Sequence, residues 1–505
     1  MSDVLPVVVA GAGPTGLMLA AELALVDVPV IVVDRLPEPM SAARAFAIHM
    51  SSVHMFHQRG LDQFEGARTF MNYNFGFPGV TALDAADLPL VVSQRRVEQV
   101  LEERVAALGV RIRYGHELVG LEQDDLGVTV RVRGDGEEYD LRASYLVGCD
   151  GGRSTVRKLA EFAFPGTDST VCGRTGDVEI LDERYQGGIG QPIYPTGLAA
   201  VIPHPDEPGM WRATAIEFDS DRAGDEVPVT LEEFKAAFLR ITGIDLKIGR
   251  YGWFTRFGNA TRLAERYRDG RVLLAGDAAH IHFPSAGQGL NTGIQDAMNL
   301  GWKLAAAVRG WGGDELLDSY HHERWPIGRE ACVYPQVQTA LIHPPQTARP
   351  LREFIGALVK FDEVSRYIIE RATGLGIRYP MAYGGEPAPE HPLLGYRIPD
   401  LPLRTAAGET SVAVLLRDGR GLLIDARGGT ASPGFEDWAD RLRVVAAEPA
   451  DGLGGARVLV RPDGHVAYVD VDGTGDERLR TAVTHWFGTV DPSSATPSPA
   501  MSVAK

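Results

Sequence analysis

The stretch Gly276-Asp277-Ala278-Ala279-His280-Ile281-His282-Phe283-Pro284-Ser285-Ala286-Gly287-Gln288-Gly289-Leu290-Asn291 gathers the residue types best suited to hold a reactive ligand. Its glycines let backbone N–H groups come close to a bound molecule. Thr292 to Val308 carries apolar residues at helical spacing, so a helix is expected to begin there and to turn its positive end toward the loop. Such an end suits an anion or an electron-rich ring edge. The carboxylate of Asp277 would repel phosphate, so it fits a chain of hydroxyls better. Arg271 to Ala275 reads as the short buried strand that carries the loop.

A second loop supplies the phosphate site that the first one lacks. Val7-Val8-Val9-Ala10 reads as a buried strand and runs directly into Gly11-Ala12-Gly13-Pro14-Thr15-Gly16, a GxGxxG. An apolar helix follows from Leu17 to Leu25. Val30 to Val33 is the next strand, ending at Asp34. The three glycines serve a tight turn, close approach of backbone to pyrophosphate, and close helix–strand packing, and the acid further on accepts hydrogen bonds from a ribose. The context identifies an ADP-containing dinucleotide without choosing between NAD and FAD. Tyr145 to Asp150 reads as another buried strand ending in an acid, followed by Gly151-Gly152-Arg153 and a helix, which makes a second ligand-binding edge. Arg44, among small residues, is placed to pair with pyrophosphate or a ring carbonyl. Gln94 and Arg96 open a helix that runs to Leu108.

Composition narrows the class. Of 505 residues, 50 are Lys or Arg and 67 are Asp or Glu, a net charge of −17. That balance argues against nucleic-acid binding. The three cysteines, Cys149, Cys172 and Cys332, have no metal or redox spacing. His54 and His57 lack acidic or thiol partners, and His321-His322-Glu323 would diverge on a helix, so no metal site is expected. No apolar run reaches membrane-spanning length, and no signal peptide is evident, so a soluble cytoplasmic protein is expected.

The GxGxxG at Gly11–Gly16, Cys149-Asp150-Gly151-Gly152-Arg153-Ser154 and Gly276-Asp277-Ala278-Ala279-His280 stand in that order. Together they resemble the para-hydroxybenzoate-hydroxylase-like FAD monooxygenases, and within them the aromatic polyketide and rifampicin hydroxylases of actinomycetes. The resemblance runs to about Val490. It implies an α/β fold: a glutathione-reductase-type Rossmann FAD-binding domain, an inserted β-sheet substrate domain and a C-terminal thioredoxin-like domain. Gly11, Gly13, Pro14, Thr15, Gly16 and Asp34 would hold the ADP half of FAD. Arg35, Arg44, Gln94 and Val119 would also touch FAD, and Arg44 is the candidate catalytic residue. Asp150 and Gly151 would serve FAD and transient NAD(P)H, with NADPH favoured. Asp277 would hold the ribityl chain. Leu290 and Asn291 would lie against the isoalloxazine, with Pro284, Gly287 and Gly289 in the same cofactor-binding loop. Two departures stand out. Family members often carry Arg-Thr where this chain has Ser51-Ser52, and Asp-Gln-Arg-Gly where it has His57-Gln58-Arg59-Gly60.

The expected boundaries are residues 1–176 and 270–384 for the two parts of the FAD domain, with the inserted sheet at 177–269. Within the insertion, Tyr251-Gly252-Trp253-Phe254-Thr255-Arg256-Phe257 supplies aromatics, and the sheet as a whole is nominated as the substrate wall. A helix is expected to stop at Pro326, Gly384 to Pro389 to form a linker, 395–490 to form a cysteine-free structural domain, and 491–505 to be disordered. The implied reaction is hydroxylation of an aromatic polycyclic substrate by O2 through a flavin C4a-hydroperoxide, in antibiotic biosynthesis or modification, by a monomer or homodimer. The rivals are Baeyer–Villiger oxygen insertion on the same scaffold and a flavin- or polyketide-binding protein without turnover. A halogenase is disfavoured by the absence of a Gly-Trp-x-Trp-x-Ile-Pro element. No protein base is identifiable; His49, His204 and His282 are the candidates.

Overall fold

The computed structural model describes residues 4–490 except 41–44, 65–66, 68, 70–79, 81–87, 186–187, 191, 221–226, 286, 384–385, 389, 430, 472 and 474. Arg44, Ala286, the glycines of the expected linker and the tail 491–505 therefore lie outside the described residues. The chain divides into two compact units. One comprises Met1–Val53, Asp62–Asn299 and Tyr320–Ile377; the other comprises His54–Leu61, Leu300–Ser319 and Arg378–Lys505.

The first unit is built on a six-stranded sheet in the order Arg268–Asp269, Val272–Leu274, Tyr145–Gly148, β1 (Val7–Ala10), β2 (Val30–Asp34), Ile112–Tyr114. All neighbours pair in parallel except the short hairpin at Arg268–Asp269. Parallel strands are covered on both faces, and this is why Val7, Val8, Val9, Leu146, Val147, Val272, Leu273 and Leu274 read as unbroken apolar runs and are all buried. β1, Tyr145–Gly148 and Val272–Leu274 are neighbours, so the three motif loops leave from one edge.

The same unit contains an antiparallel five-stranded sheet: Ile193–Tyr194, Gly197–Pro203, Trp211–Phe218, Val171–Ile180, Ile248–Phe257. It starts at Val171 rather than Asp177, because Val171–Ile180 is one continuous strand. Helix Leu231–Thr242 covers one face, with Phe234, Ala237, Phe238 and Ile241 packed on Val178, Ala199, Val201, Ala213 and Ala215. Thr230 caps that helix by accepting the Glu233 N–H at 3.1 Å, and Gly243 ends it at φ +73°.

Two helix boundaries differ from expectation. Helix Gln288–Val308 begins before Thr292, so Leu290 and Asn291 lie in its first turn instead of the preceding loop. Helix Asp314–Ala340 does not stop at Pro326 but passes through it and through Pro335. An interior proline costs about 3 kcal/mol. Tertiary contacts offset that cost: Tyr320 and Arg324 are fully buried, and the Trp325 indole donates to Ala264 O at 3.0 Å.

The second unit holds a four-stranded sheet, Leu442–Ala446, Gly421–Asp425, Arg457–Val460, Val466–Asp470, with the first pair parallel and the others antiparallel. Helix Asp476–Phe487 follows. The described part of the expected linker is a short β pair, Ala382–Tyr383 with Glu386–Pro387. His57 pairs with Asp400 at 3.1 Å.

Candidate functional site

β1 ends in a turn that only glycine can make. Gly11 has φ +106°, and a Cβ there would lie 2.4 Å from the Cys149 carbonyl oxygen. A Cβ on Gly16 would lie 2.0 Å from Gly11 O, so α1 (Pro14–Leu25) leaves the turn with no room for a side chain. Gly13 differs: a Cβ there would meet nothing within 4 Å, so its bareness leaves backbone open to a ligand. Pro14 occupies the first turn of α1, where its missing N–H costs nothing. Asp34 accepts the N–H of Ala12 at 2.7 Å and of Leu36 at 2.8 Å, which ties the end of β2 to the glycine turn.

A cleft of about 350 Å³ opens over this turn. Its lining includes the expected Gly11, Gly13, Asp34, Arg35, Gln94, Asp150 and Gly151. Leu118 lines it where Val119 was expected, because Val119 falls at the bulge between Leu118 and Gly120. Glu98, Tyr114 and His116 line it as well, and sequence reading did not nominate them. Glu98 has one signal in hindsight: it stands one helical turn after Gln94, whose amide donates to it at 2.8 Å. Burial raises the Glu98 carboxyl above its ordinary value. Asp150 Oδ2 accepts the N–H groups of Thr155 and Val156 at 2.6 and 3.2 Å, while its buried Oδ1 has no partner among the described residues. A buried carboxylate oxygen left over at a cleft wall calls for a ligand donor. The bare Gly13 backbone, this spare oxygen and the cleft volume together fit the ADP half of FAD.

The second loop abuts the first. Thr15 Oγ1 lies 2.6 Å from where a Cβ of Gly276 would be and 2.2 Å from one on Gly293. The Thr15 hydroxyl thus fills the seam between the two motifs, and glycine at 276 and 293 makes the room. Gly293→Ala is expected to cost about 1–3 kcal/mol by overpacking. In a Thr15→Ala background, the nearest Thr15 atom is the Cβ at 3.4 Å, an ordinary contact, and most of the cost should vanish. Thermal melting of the four-member cycle checks this; additive losses would show that the seam is not the cause.

Asp277 stands exposed between buried Gly276 and Ala278. Its Oδ1 would be 3.7 Å, and His282 Nε2 3.9 Å, from a Cβ on Gly289. His282 Nδ1 bonds Phe283 O at 2.9 Å, and that oxygen can only accept, so Nδ1 carries the proton. Burial holds the imidazole below its ordinary pKa, leaving Nε2 a bare acceptor beside Asp277 at neutral pH. Carboxylate and imidazole at the bare Gly289 suit a run of hydroxyls. The backbone of Gln288, Gly289 and Leu290 contributes first-turn N–H groups that no helical carbonyl satisfies. The Asn291 side chain is spent otherwise: Oδ1 accepts the His49 N–H at 2.9 Å, and Nδ2 donates to Ala47 O at 3.1 Å and Gly287 O at 2.8 Å. It clamps the short strand β3 (Ala47–Ile48) to the loop. Gly287, at φ +66°, lets Ala47 Cβ approach to 3.0 Å of its own missing Cβ. Pro284 is exposed on the same loop.

What holds this loop in place is a buried charge cluster. Asp296 Oδ2 accepts the Gly276 N–H at 3.0 Å and lies 2.8 Å from His280 Nε2; Oδ1 accepts Arg324 Nε at 2.6 Å. Arg324 also donates to Thr292 O at 3.2 Å and Gln295 Oε1 at 3.3 Å. The side chains of His280, Asp296 and Arg324 are fully buried. Burial works against the charge on Asp296, but Arg324 and His280 outweigh it and hold the carboxyl below its ordinary value. Sequence reading saw His280 only as part of a motif and did not see Asp296 or Arg324.

The aromatic strand of the five-stranded sheet splits between two faces. Phe254 stacks on Phe234, 5.0 Å away, in the helix-covered core. Trp253 and Phe257 take the other face, where Phe283 of the loop packs 6.1 Å from Phe257. On that face Arg212 bonds Asp177 through Nε at 2.7 Å and lies over Phe46 at 4.0 Å and Trp253 at 4.9 Å. His204 Nδ1 accepts the N–H groups of Asp206 and Glu207 at 3.2 and 3.1 Å. Among the described residues no group of three or more His, Cys, Asp or Glu is gathered as for a metal ion, and no helix is long and apolar enough to cross a membrane.

Comparison with known proteins agrees with this geometry. Residues 4–333 match the FAD binding domain family, and residues 391–490 match the aromatic-ring hydroxylase C-terminal family. Rifampicin monooxygenase of Streptomyces venezuelae is 42% identical, over 95% of this chain and 98% of its own. Dialkyldecalin synthase of Streptomyces rugosporus is 40% identical, over 97% and 99%. The solved structure of the anhydrotetracycline hydroxylase OxyS from Streptomyces rimosus superposes with a TM-score of 0.88 at 40% identity, over 96% of this chain and 100% of that one. With two family matches along its length and monooxygenase relatives of about the same length at 42% identity, this chain belongs to the FAD-dependent aromatic-ring monooxygenases.

Proposed function

We propose that the enzyme hydroxylates a polycyclic aromatic substrate of the polyketide class, using O2 and NAD(P)H, with NADPH favoured. The observation that carries this reading is the contact of Phe283, on the loop that carries Asp277, with the face of the five-stranded sheet turned away from helix Leu231–Thr242. It brings the cofactor loop against a wall lined by Trp253, Phe257 and Ile216, on which a flat ring system can lie. Bound FAD supplies hydride acceptance and oxygen activation.

The chain's own residues bind, orient and exclude water. Gly11, Gly13 and Asp34 hold the nucleotide, Asp150 Oδ1 accepts one further donor, and Asp277 with neutral His282 orients the polyol. The first-turn N–H groups of helix Gln288–Val308 favour negative charge at the ring edge. His204 accepts two backbone donors through Nδ1. This places its remaining proton at Nε2, 3.7 Å from Asp177 Oδ2, and commits the Nδ1 lone pair to the backbone. The second unit, in this reading thioredoxin-like and without cysteine, has a structural role.

The test is NADPH oxidation and 18O2 incorporation by the purified yellow protein, screened with tetracyclic, angucyclinone and ansamycin aromatics. Substrate-dependent oxidation with one labelled oxygen on a ring carbon is expected. Label in a new ester or lactone would establish the Baeyer–Villiger outcome instead. Product formed without O2 uptake would overturn the hydroxylase reading.

A further inference from the structure

The face of the five-stranded sheet turned away from helix Leu231–Thr242 has an internal pattern that the aromatic residues do not explain. Thr214 pairs with Thr175, and Thr175 pairs with Thr255, so three threonines stand in register across the strands Trp211–Phe218, Val171–Ile180 and Ile248–Phe257. Ala200 pairs with Thr214 on the other side and extends the row with a small residue. Because side chains alternate along a strand, the rows two residues away share this face. One of those rows carries Arg212, Asp177 and the nearby Trp253 ring; the other carries Leu198, Ile216, Gly173 and Phe257.

The three threonines are half-buried, as are Trp253 and Phe257 of the neighbouring rows, whereas Leu198, Ala200, Ile216, Arg212 and Asp177 are buried. The accessible part of this face therefore presents hydroxyls beside aromatic rings. Its borders touch both cofactor-side elements: Phe283 packs on the Leu198–Ile216 side, and Phe46, beside β3, lies 4.0 Å from Arg212. Threonine is an ordinary strand residue, but three aligned between the Arg212–Asp177 pair on one side and Leu198, Ile216 and Phe257 on the other form a polar strip.

The hydroxyls are arranged to accept. Thr175 Oγ1 lies 3.2 Å from Ala213 O, which can only accept, and 2.9 Å from Thr214 Oγ1. Thr175 has one proton and gives it to Ala213 O. Thr214 then donates to Thr175, and Thr214 Oγ1 keeps acceptor lone pairs for a third partner. A phenolic O–H supplies that partner; a hydrocarbon edge does not.

Resting on the aromatic-substrate reading above, we infer that Thr214, backed by Thr175 and flanked by Thr255, is a specificity-determining site that takes a phenolic hydroxyl on the edge of a planar polycyclic ligand. The row sets which edge of the ring system meets the sheet.

The test uses the full-length, FAD-loaded enzyme and two probes, 2,6-dihydroxyanthraquinone and its hydroxyl-free parent anthraquinone. Dissociation constants are read from perturbation of the flavin spectrum. Wild type is expected to prefer the dihydroxy probe by about fivefold or more, the order of one hydrogen bond. Thr214→Val, which keeps the shape and loses the hydroxyl, should bring the two constants together, while Thr214→Ser should retain the preference. A Thr214→Val enzyme that keeps the preference would overturn the assignment, and so would a wild type that binds both probes equally. If neither probe perturbs the wild-type flavin, the aromatic-substrate reading falls with it.

Discussion

Arg324→Met is expected to destabilise the first unit by about 3–5 kcal/mol, because it strands a buried carboxylate. Asp296 would keep its contacts with His280 Nε2 and the Gly276 N–H but lose the only guanidinium beside it among the described residues. The loss should be read as a fall in melting temperature together with release of flavin, since Gly276 is the first residue of the loop that carries Asp277. A melting temperature within 1–2 °C of wild type, on the scale of about 0.5 kcal/mol, would show that the cluster does not hold the loop. The pH dependence follows from the sign of the Asp296 shift. Its folded pKa lies below the ordinary 3.8, so its contribution is complete above that value and disappears as pH falls through the lower folded value. The cluster should therefore be intact at neutral pH and lost only in strong acid.

Gly11→Ala is the second large effect. The new Cβ would sit 2.4 Å from Cys149 O and 2.7 Å from its carbonyl carbon, at a φ of +106°. Both obstacles are backbone, just past the end of the strand Tyr145–Gly148, so no side chain can swing aside. Strain and overpacking together are expected to cost about 4 kcal/mol. The variant should purify with little or no bound flavin. A full flavin complement with unchanged melting would show that the turn relaxes freely. Gly13→Ala provides the contrast: a Cβ there meets nothing within 4 Å, so folding should survive and only flavin affinity should fall.

These residues differ in how visible they were beforehand. Gly11, Gly16 and Asp34 lie close together in the chain, and their spacing reflects one turn between one strand and one helix. Asp277, Gly287 and Gly289 were visible for the same reason. The cluster of His280, Asp296 and Arg324 was not, because Arg324 is 28 positions from Asp296 and nothing in either local pattern requires the other. Pro326 was misread as a helix stop because local propensity was the only evidence for the boundary, and the burial around Tyr320 and Arg324 overrides it. Asn291 had a side chain suited to a ring edge, yet the fold uses that side chain to clamp β3.

By itself, the amino-acid sequence determined the class of cofactor, the order of the motif loops and the presence of an inserted sheet. Each of these depends on contacts within a few residues or on apolar periodicity, and both are local quantities. Only the tertiary structure decided which groups of those loops remain available to a ligand. Thr15 is used in a seam and Asn291 in a clamp, while Asp150 Oδ1 is left without a partner among the described residues. It also decided that Trp253 and Phe257 share a face with Thr175, Thr214 and Thr255, whereas Phe254 joins the core. The physical reason is strand register: a pairing shifted by one residue would turn every one of these side chains to the opposite face, and register is set by partners far away in the chain.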